Sequence, residues 1–155
     1  MIKYSYQFIT IFGHRAFIIQ GAAHGMIDLS QWNVVLIDDE PDNIGVVEFV
    51  FGFHKIPMRS ATSGIEGLAL LRQQLPTVLL LDIQMPAMSG WEVLEQIRKD
   101  SALSSLVVIA LTAHAMAGDQ EKALAAGFDA YMTKPISPAT FLEDIKTVLK
   151  ARDMA

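Results

Sequence analysis

Residues 76–86 have the sequence Pro-Thr-Val-Leu-Leu-Leu-Asp-Ile-Gln-Met-Pro, in which a short apolar run ends in one carboxylate. Four to eight apolar residues between turn formers are typical of a strand buried in a parallel sheet. Pro86 ends the segment, because proline cannot pair inside a sheet. The pattern predicts that Asp82 lies at the carboxyl end of a central strand, where ligands bind in open α/β sheets. Taken alone, Asp82 is explained more simply as the start of a turn.

Five apolar segments of this kind alternate with helical patterns along the chain. The predicted strands are residues 33–37, 57–61, 78–81, 106–111 and 129–133. This alternation predicts an α/β fold, a five-stranded doubly wound parallel sheet with helices on both faces. Right-handed crossovers favour the strand order 2-1-3-4-5, a flavodoxin-like (βα)5 arrangement.

The predicted helices have recognisable ends. Pro41 suits the first turn of the first helix. Ser63, Ser89 and Ser137 are predicted N-caps of the second, third and fifth helices. Gly127 is expected to end the fourth helix.

The composition limits the classes of function. The chain has 155 residues, a size typical of one domain, with a net charge of −5 and no cysteine. The negative charge argues against direct nucleic-acid binding. The lack of cysteine excludes disulfides, thiolate metal sites and cysteine nucleophiles.

The first 32 residues differ from the rest of the chain. Their only charged residues are Lys3, Arg15 and Asp28, and their apolar runs are too short for a membrane span. We expect residues 1–32 to form a poorly ordered extension. A signal peptide is a less favoured interpretation, because Arg15 interrupts the apolar region. Met26 is an alternative start of the protein.

Polar side chains follow four of the predicted strands at one edge of the sheet. They are Asp38, Asp39 and Glu40 after the first strand, Asp82 after the third, Thr112 after the fourth and Lys134 after the fifth. The first and third strands are neighbours in the predicted order, so Asp39 and Asp82 are expected to face each other. Like carboxylates repel at short range unless a cation lies between them. Because Mg²⁺ accepts one or two carboxylates and water, we expect a magnesium site here.

A metal ion, a hydroxyl and a lysine around one aspartate resemble the groups used in phosphoryl transfer. The metal ion and the lysine offset negative charge on the phosphoryl oxygens, and the hydroxyl donates a hydrogen bond to one of them. The aspartate itself can act as the nucleophile. The chain has no glycine-rich phosphate loop, so nucleotide binding has no support.

Each of these residues also has a simpler explanation on its own. Acidic residues favour helix N-termini, Thr112 fits a strand-end cap, and Lys134 fits a loop charge beside a proline. We expect His114 to be a partly exposed loop residue. Tyr131 alone would be a half-buried strand aromatic. The joint position of the strand-end residues favours a shared site.

With these residues in place, residues 33–151 resemble the receiver domain of two-component response regulators, and residues 1–32 do not. The matching motifs are Leu-Ile-Asp38-Asp39-Glu, Leu-Leu-Asp82-Ile-Gln-Met-Pro86-x-Met-x-Gly90, Ala-Leu-Thr112-Ala113 and Tyr131-Met-Thr-Lys134-Pro135. The resemblance implies that Asp82 is the phosphoacceptor and that Thr112 and Lys134 bind the phosphoryl oxygens. It also implies a cis peptide bond at Lys134–Pro135 and a switch role for Thr112 and Tyr131.

The resemblance also implies how Mg²⁺ is bound. Asp39 would ligate the ion directly, Asp38 would assist through water, and Asp82 and the main-chain carbonyl of Gln84 would complete the protein ligands. The family has a range of residues at the position of Gln84, and the identity of this side chain is expected to affect the lifetime of the phosphoryl group.

The predicted function is therefore that of a stand-alone cytoplasmic receiver. It would take a phosphoryl group from a histidine kinase or a histidine phosphotransfer protein, and signal through protein contacts or onward transfer. We expect a signalling domain with slow self-dephosphorylation and not an enzyme, without direct binding to nucleic acid or membrane. The alternatives are an aspartate-nucleophile phosphatase, for which Gln84 replaces the usual second aspartate, and an FMN-binding flavodoxin-like module.

Overall fold

The structure is a computed structural model that describes residues 6–11, 14–19, 29–114 and 116–153. Its strands are β1 (Tyr6–Ile11), β2 (His14–Ile19), β3 (Val34–Ile37), β4 (Met58–Ala61), β5 (Val78–Asp82), β6 (Val108–Thr112) and β7 (Ala130–Thr133). A short 3-10 helix spans Leu29–Gln31, and the α-helices are α1 (Pro41–Phe53), α2 (Gly64–Gln73), α3 (Gly90–Lys99), α4 (Asp119–Ala126) and α5 (Phe141–Asp153).

Five strands form one parallel sheet in the order β4-β3-β5-β6-β7. This order is the 2-1-3-4-5 arrangement of the five predicted strands, so the predicted fold class is confirmed. β5 lies at the centre, where Leu81 pairs with Ile37 of β3 and Asp82 pairs with Leu111 of β6. The carboxyl ends of β3, β5 and β6 therefore meet at one edge.

The sheet is covered on both faces, which explains why its central strands are apolar throughout. Successive side chains of a strand point to opposite faces. Leu36 and Leu80 face a layer formed with α1 and α5, whereas Ile37 and Leu81 face a layer formed with α2, α3 and α4. Both layers exclude water, so burial of these side chains is the main stabilising contribution to the fold.

Most of the predicted helix ends are confirmed. Pro41 occupies the first turn of α1. The Ser63 side chain accepts the N–H of Glu66 in α2, and Ser89 forms a reciprocal capping box with Glu92 in α3. Gly127 closes α4 in the left-handed conformation at φ 109°.

Two predicted boundaries were wrong. The last helix begins at Phe141, because the carbonyl of Ser137 accepts the N–H groups of Thr140 and Phe141 in a turn before the helix. The fourth predicted strand begins at Val108 and not at residue 106. The N–H of Leu106 donates to Leu103 and its carbonyl accepts from Arg98 at 2.8 Å, so neither group is available for strand pairing.

The extension contains two strands that the sequence analysis does not predict. β1 and β2 pair antiparallel, and β2 lies against β7 and α5. Their β-branched and aromatic composition suits strands. The poor order of residues 1–32 as a whole stays a prediction, and Met26 lies outside the described residues. Within the described ranges, no helix is both long and apolar enough to cross a bilayer.

Candidate functional site

The carboxyl edge of the sheet opens into a cavity of about 450 Å³. Its lining residues are Asp39, Glu40, Asn43, Asp82, Gln84, Ala113, Lys134 and Pro135. Asp82 is the last residue of β5, Asn43 lies in the first turn of α1, and the others follow β3, β5, β6 or β7. The structure thus brings the predicted aspartates and lysine together at the predicted edge.

Three carboxylates converge at this edge of the sheet. Asp38, Asp39 and Asp82 each offer an oxygen, and these oxygens lie within 4.8 Å of one another. Asp38 and Asp82 are buried, whereas Asp39 is half-buried. Three negative charges at this range repel strongly, so the site requires nearby positive charge.

Lys134 supplies part of that charge. Its ammonium lies 2.7 Å from Oδ2 of Asp38 and 2.8 Å from Oδ2 of Asp82. Burial alone would lower the pKa of Lys134, but the two ion pairs outweigh it and raise that pKa above the ordinary value of 10.5. Burial raises the pKa of Asp82 above its ordinary value, although Lys134 and the backbone N–H of Gln84 act to lower it.

Asp38 is held by internal partners. Its Oδ1 accepts the backbone N–H of Glu40 at 3.0 Å and the side-chain amide of Asn43 at 3.1 Å. The sequence analysis did not identify Asn43. Asn43 is the third residue of a helix that begins directly after an acidic cluster. Because the first turn of that helix faces the cluster, this position could have identified Asn43 from the sequence.

The loop after Asp82 is shaped by two backbone constraints. The N–H of Gln84 donates to Oδ1 of Asp82 at 2.9 Å, which fixes the orientation of the carboxylate. Gly90 approaches the same strand end so closely that a Cβ atom there would lie 2.3 Å from the Asp82 carbonyl oxygen. Only glycine fits that position without movement of the backbone.

The donor set fits a magnesium ion. Oδ1 of Asp39 is buried and has no hydrogen-bond partner among the described residues. A buried carboxylate oxygen without a partner is costly unless a cation or ordered water occupies the space beside it. Oxygen ligands from one or two carboxylates are those that Mg²⁺ accepts. The ligand roles of Asp38, Asp39, Asp82 and the Gln84 carbonyl stay predictions.

Thr112 lies at this edge, but its hydroxyl is engaged by its own loop. It donates to the carbonyl of His114 at 2.9 Å and accepts the His114 N–H at 3.2 Å. The Tyr131 hydroxyl donates to the same carbonyl at 3.2 Å. Thr112 and Tyr131, the two predicted switch residues, are therefore linked through one carbonyl oxygen.

His114 is an exposed loop residue, as predicted, yet it contacts three residues of the site region. Besides its bonds to Thr112 and Tyr131, its ring Nδ1 lies 3.0 Å from Oε1 of Gln84. Sequence analysis did not detect these contacts, because they depend on how two loops approach each other. The predicted cis peptide bond at Lys134–Pro135 is confirmed.

Comparisons with known proteins identify the class. The family profile described as "Response regulator receiver domain" matches residues 34–146. The polar-differentiation response regulator DivK of Brucella ovis is 38% identical over 120 residues, covering 76% of this chain and 95% of that protein.

Solved structures agree with the sequence comparison. A CheY-like response regulator receiver domain protein from Methanospirillum hungatei is similar with a TM-score of 0.71 and 28% identity, covering 79% of this chain and 97% of that one. The N-terminal domain of a receiver protein from Methanoculleus marisnigri has a TM-score of 0.64 and 31% identity, over 77% and 98% of the two chains. The chain belongs to the response regulator receiver family and is a signalling component of two-component systems.

Proposed function

We propose that this receiver accepts a phosphoryl group from a phosphohistidine onto Asp82. One observation carries the proposal: Asp82 lies in an open cavity, with the Lys134 ammonium 2.8 Å from one oxygen and two further carboxylates beside it. A carboxylate nucleophile with a fixed cation and a cation-binding acid cluster is suited to phosphoryl transfer.

In this mechanism a carboxylate oxygen of Asp82 attacks the phosphorus atom. The bond between phosphorus and the donor imidazole breaks, and the imidazole nitrogen leaves with the bonding electron pair. The product is an acyl phosphate on Asp82. The N–H of Gln84 orients the carboxylate during attack, and Lys134 moves from the carboxylate toward a phosphoryl oxygen.

Asp39, Asp82 and the Gln84 carbonyl would hold Mg²⁺, with Asp38 assisting. When bound, the ion offsets charge on the phosphoryl oxygens. Asp38 has a second role in the proposal: it anchors Lys134 through their ion pair at 2.7 Å. The hydroxyl of Thr112 would leave its bonds with His114 to donate to a phosphoryl oxygen.

The proposed donor is a histidine kinase or a histidine phosphotransfer protein acting in the cytoplasm. Output would be a protein contact or onward transfer of the phosphoryl group. The proposal is for a signalling domain that loses its phosphoryl group slowly, not for an enzyme with repeated turnover. The stand-alone arrangement and the absence of nucleic-acid binding remain predictions.

Labelling with a small phosphodonor tests the acceptor. Purified protein is incubated with ³²P-phosphoramidate and Mg²⁺, and the incorporated label is counted. We expect at most one alkali-labile phosphoryl group per chain, lost in Asp82→Asn. Asp153→Asn, a change of the same chemistry on the exposed end of α5, serves as the matched control. Equal labelling of Asp82→Asn would refute the assignment, and rapid repeated release of phosphate would favour the phosphatase alternative.

A further inference from the structure

Strand β2 lies against one edge of the parallel sheet. Its Cα atoms come within 8 Å of Cα atoms in both β7 and α5. β7 is the last strand in the order β4-β3-β5-β6-β7, and among the described strands it pairs with β6 alone. An exposed edge strand offers unpaired N–H and C=O groups to other chains, and proteins often cover such an edge. β1 and β2, here called the β1–β2 pair, therefore lie where the sheet has a free edge.

The β1–β2 pair depends on this contact for its own stability. Its two strands pair only with each other, from Tyr6 opposite Ile19 to Ile11 opposite His14. An isolated two-stranded ribbon is marginally stable in water. Packing on β7 and α5 supplies the missing stabilisation, so the pair unfolds when the contact is lost. The segment is therefore suited to act as a two-state element.

The two elements that β2 contacts have apolar side chains that are incompletely buried. Met132 of β7 and Val148 of α5 belong to the apolar layer that α5 forms with the sheet, yet both are only half-buried. Removal of apolar surface from water is favourable for any segment that packs there. β7 and α5 thus form a face that a protein segment can cover.

β7 also carries residues that would respond to a phosphoryl group on Asp82. Lys134 follows β7 directly, and its ammonium lies 2.8 Å from Oδ2 of Asp82. Tyr131 lies within β7, and its hydroxyl donates to the same His114 carbonyl as Thr112 does. In the proposed function, phosphorylation moves Lys134 and takes Thr112 away from that carbonyl. The strand against which β2 lies is therefore the strand that the switch would rearrange.

We propose that the β1–β2 pair is an autoinhibitory cover, which is docked on β7 and α5 while Asp82 is unphosphorylated and released when Asp82 carries a phosphoryl group. This release depends on the proposed function of Asp82. The docked pair fits the arrangement in which Thr112 and Tyr131 share the His114 carbonyl, because both occur together in this structure. Rearrangement of β7 weakens the contact, and the undocked pair loses its fold. The face of β7 and α5 is then open to a protein partner.

Thermodynamic linkage distinguishes this device from a purely structural cover. If a phosphoryl group on Asp82 weakens docking of the β1–β2 pair, then loss of docking must favour the phosphorylated state by the same coupling free energy. A cover that only shields the sheet edge has no such coupling. Its loss would lower stability without changing the affinity for a phosphoryl mimic.

Hydrogen–deuterium exchange of the full chain tests release without any substitution. Beryllofluoride with Mg²⁺ serves as the phosphoryl mimic, and ¹⁹F NMR reports whether it is bound. We expect the backbone amides of β1 and β2 to exchange on the order of tenfold faster in the bound state, because the undocked pair is unprotected. Amides of α2, which packs on β3 and β4, are the internal control. Unchanged exchange in β1 and β2 with the mimic bound would overturn the proposal.

A variant that cannot form the β1–β2 pair tests the reciprocal effect. Phe8→Pro with Ile9→Pro removes a bond between the strands, because one of two consecutive strand residues donates its N–H to the partner strand. We expect this variant to bind beryllofluoride about tenfold more tightly than wild type. Phe8→Val with Ile9→Val keeps residues that favour strands and should bind the mimic as wild type does. A proline variant with wild-type affinity would also overturn the proposal.

Failure of the cover and failure of the phosphoacceptor give different results. If beryllofluoride does not bind and phosphoramidate does not label Asp82, the proposed function fails and the cover fails with it. If Asp82 is labelled but exchange and affinity stay unchanged, the β1–β2 pair only shields the sheet edge. The second result would leave the role of Asp82 intact.

Discussion

The Lys134 ammonium lies 2.8 Å from Oδ2 of Asp82, so the proposed phosphoacceptor is ion-paired before any phosphoryl group arrives. The same ammonium is 2.7 Å from Asp38. Transfer to Asp82 would therefore need only a short movement of Lys134, from a carboxylate oxygen to a phosphoryl oxygen. In this proposal Asp38 would remain its second partner.

The pKa of Lys134 gives a prediction for stability at alkaline pH. Its folded-state pKa is raised above the ordinary 10.5, so the stability it contributes is fully present below 10.5 and is lost as pH rises through the folded value. Lys134→Gln leaves two buried carboxylates without their cation and should cost about 3 kcal/mol at pH near 8. Urea unfolding without Mg²⁺ at pH near 8 and near 11.5 measures the difference in free energy of unfolding between wild type and Lys134→Gln. An equal difference at both pH values would contradict the stabilising role assigned to the Lys134 ammonium.

Magnesium should stabilise the folded protein. A ligand that binds only the folded state at a hundred times its Kd adds about 2.7 kcal/mol, which raises the melting temperature by several degrees. Asp39→Asn should remove the effect, because Oδ1 of Asp39 is buried and has no hydrogen-bond partner among the described residues. Thermal unfolding in Mg²⁺ and in chelator makes the measurement, with Asp153→Asn as control. Identical melting curves for wild type in both buffers would rule out the site.

Asp129 should be a principal structural residue far from the cavity. Its Oδ2 accepts from Arg98 at 3.0 Å and from the Val108 N–H at 2.8 Å, and its Oδ1 accepts from Arg152 at 2.7 Å. These bonds join β6, α3 and α5. Asp129→Ala should cost about 2 kcal/mol, since it leaves the Val108 N–H unpaired and removes the carboxylate partner of Arg98, which keeps its bonds to backbone carbonyls.

The matched control for Asp129 is Glu95→Ala. Glu95 also forms an ion pair, but on the exposed surface of α3. Exposed pairs of this kind contribute about 0.5 kcal/mol or less. Urea unfolding of both variants compares them directly. Equal losses of stability would show that burial of the Asp129 network contributes nothing.

The sheet and the residues at its strand ends could be predicted from the sequence for a physical reason. A central parallel strand has to be apolar on both faces, so a charged residue at its end is conspicuous, and right-handed crossovers limit the strand order. Asp82 and Lys134 could therefore be placed together from opposite parts of the chain.

Other features could not be predicted because they depend on loop geometry. The contact between His114 and Gln84 joins two loops whose paths no periodicity specifies. The boundary at Leu106 depends on Arg98, which takes a carbonyl that would otherwise pair in the strand. Phe51 of α1 is buried, whereas Phe53 is exposed. The sequence could not distinguish them, because apolar residues occur on several sides of this helix.

The switch predicts separate effects on phosphorylation and on conformational change. In this structure the Thr112 hydroxyl is bonded to His114, and Tyr131 donates to the same His114 carbonyl. To donate to a phosphoryl oxygen on Asp82, the Thr112 hydroxyl must leave the His114 carbonyl. The hydrogen bonding of the carbonyl to which Tyr131 donates would then change. The phosphoryl group is a local charge that would bias this two-state arrangement.

Thr112→Ala should still take up a phosphoryl group, because Asp82 and Lys134 are unchanged. It should shift poorly to the second state, since a hydrogen bond to a charged group is worth about 2 kcal/mol, on the order of thirtyfold in population. NMR shifts of Tyr131 with a beryllofluoride adduct measure this, and Thr112→Ser, which keeps the hydroxyl, should respond as wild type does. If Thr112→Ala shifts as fully as Thr112→Ser, the hydroxyl is not the link, and the signal from Asp82 must reach Tyr131 through another contact.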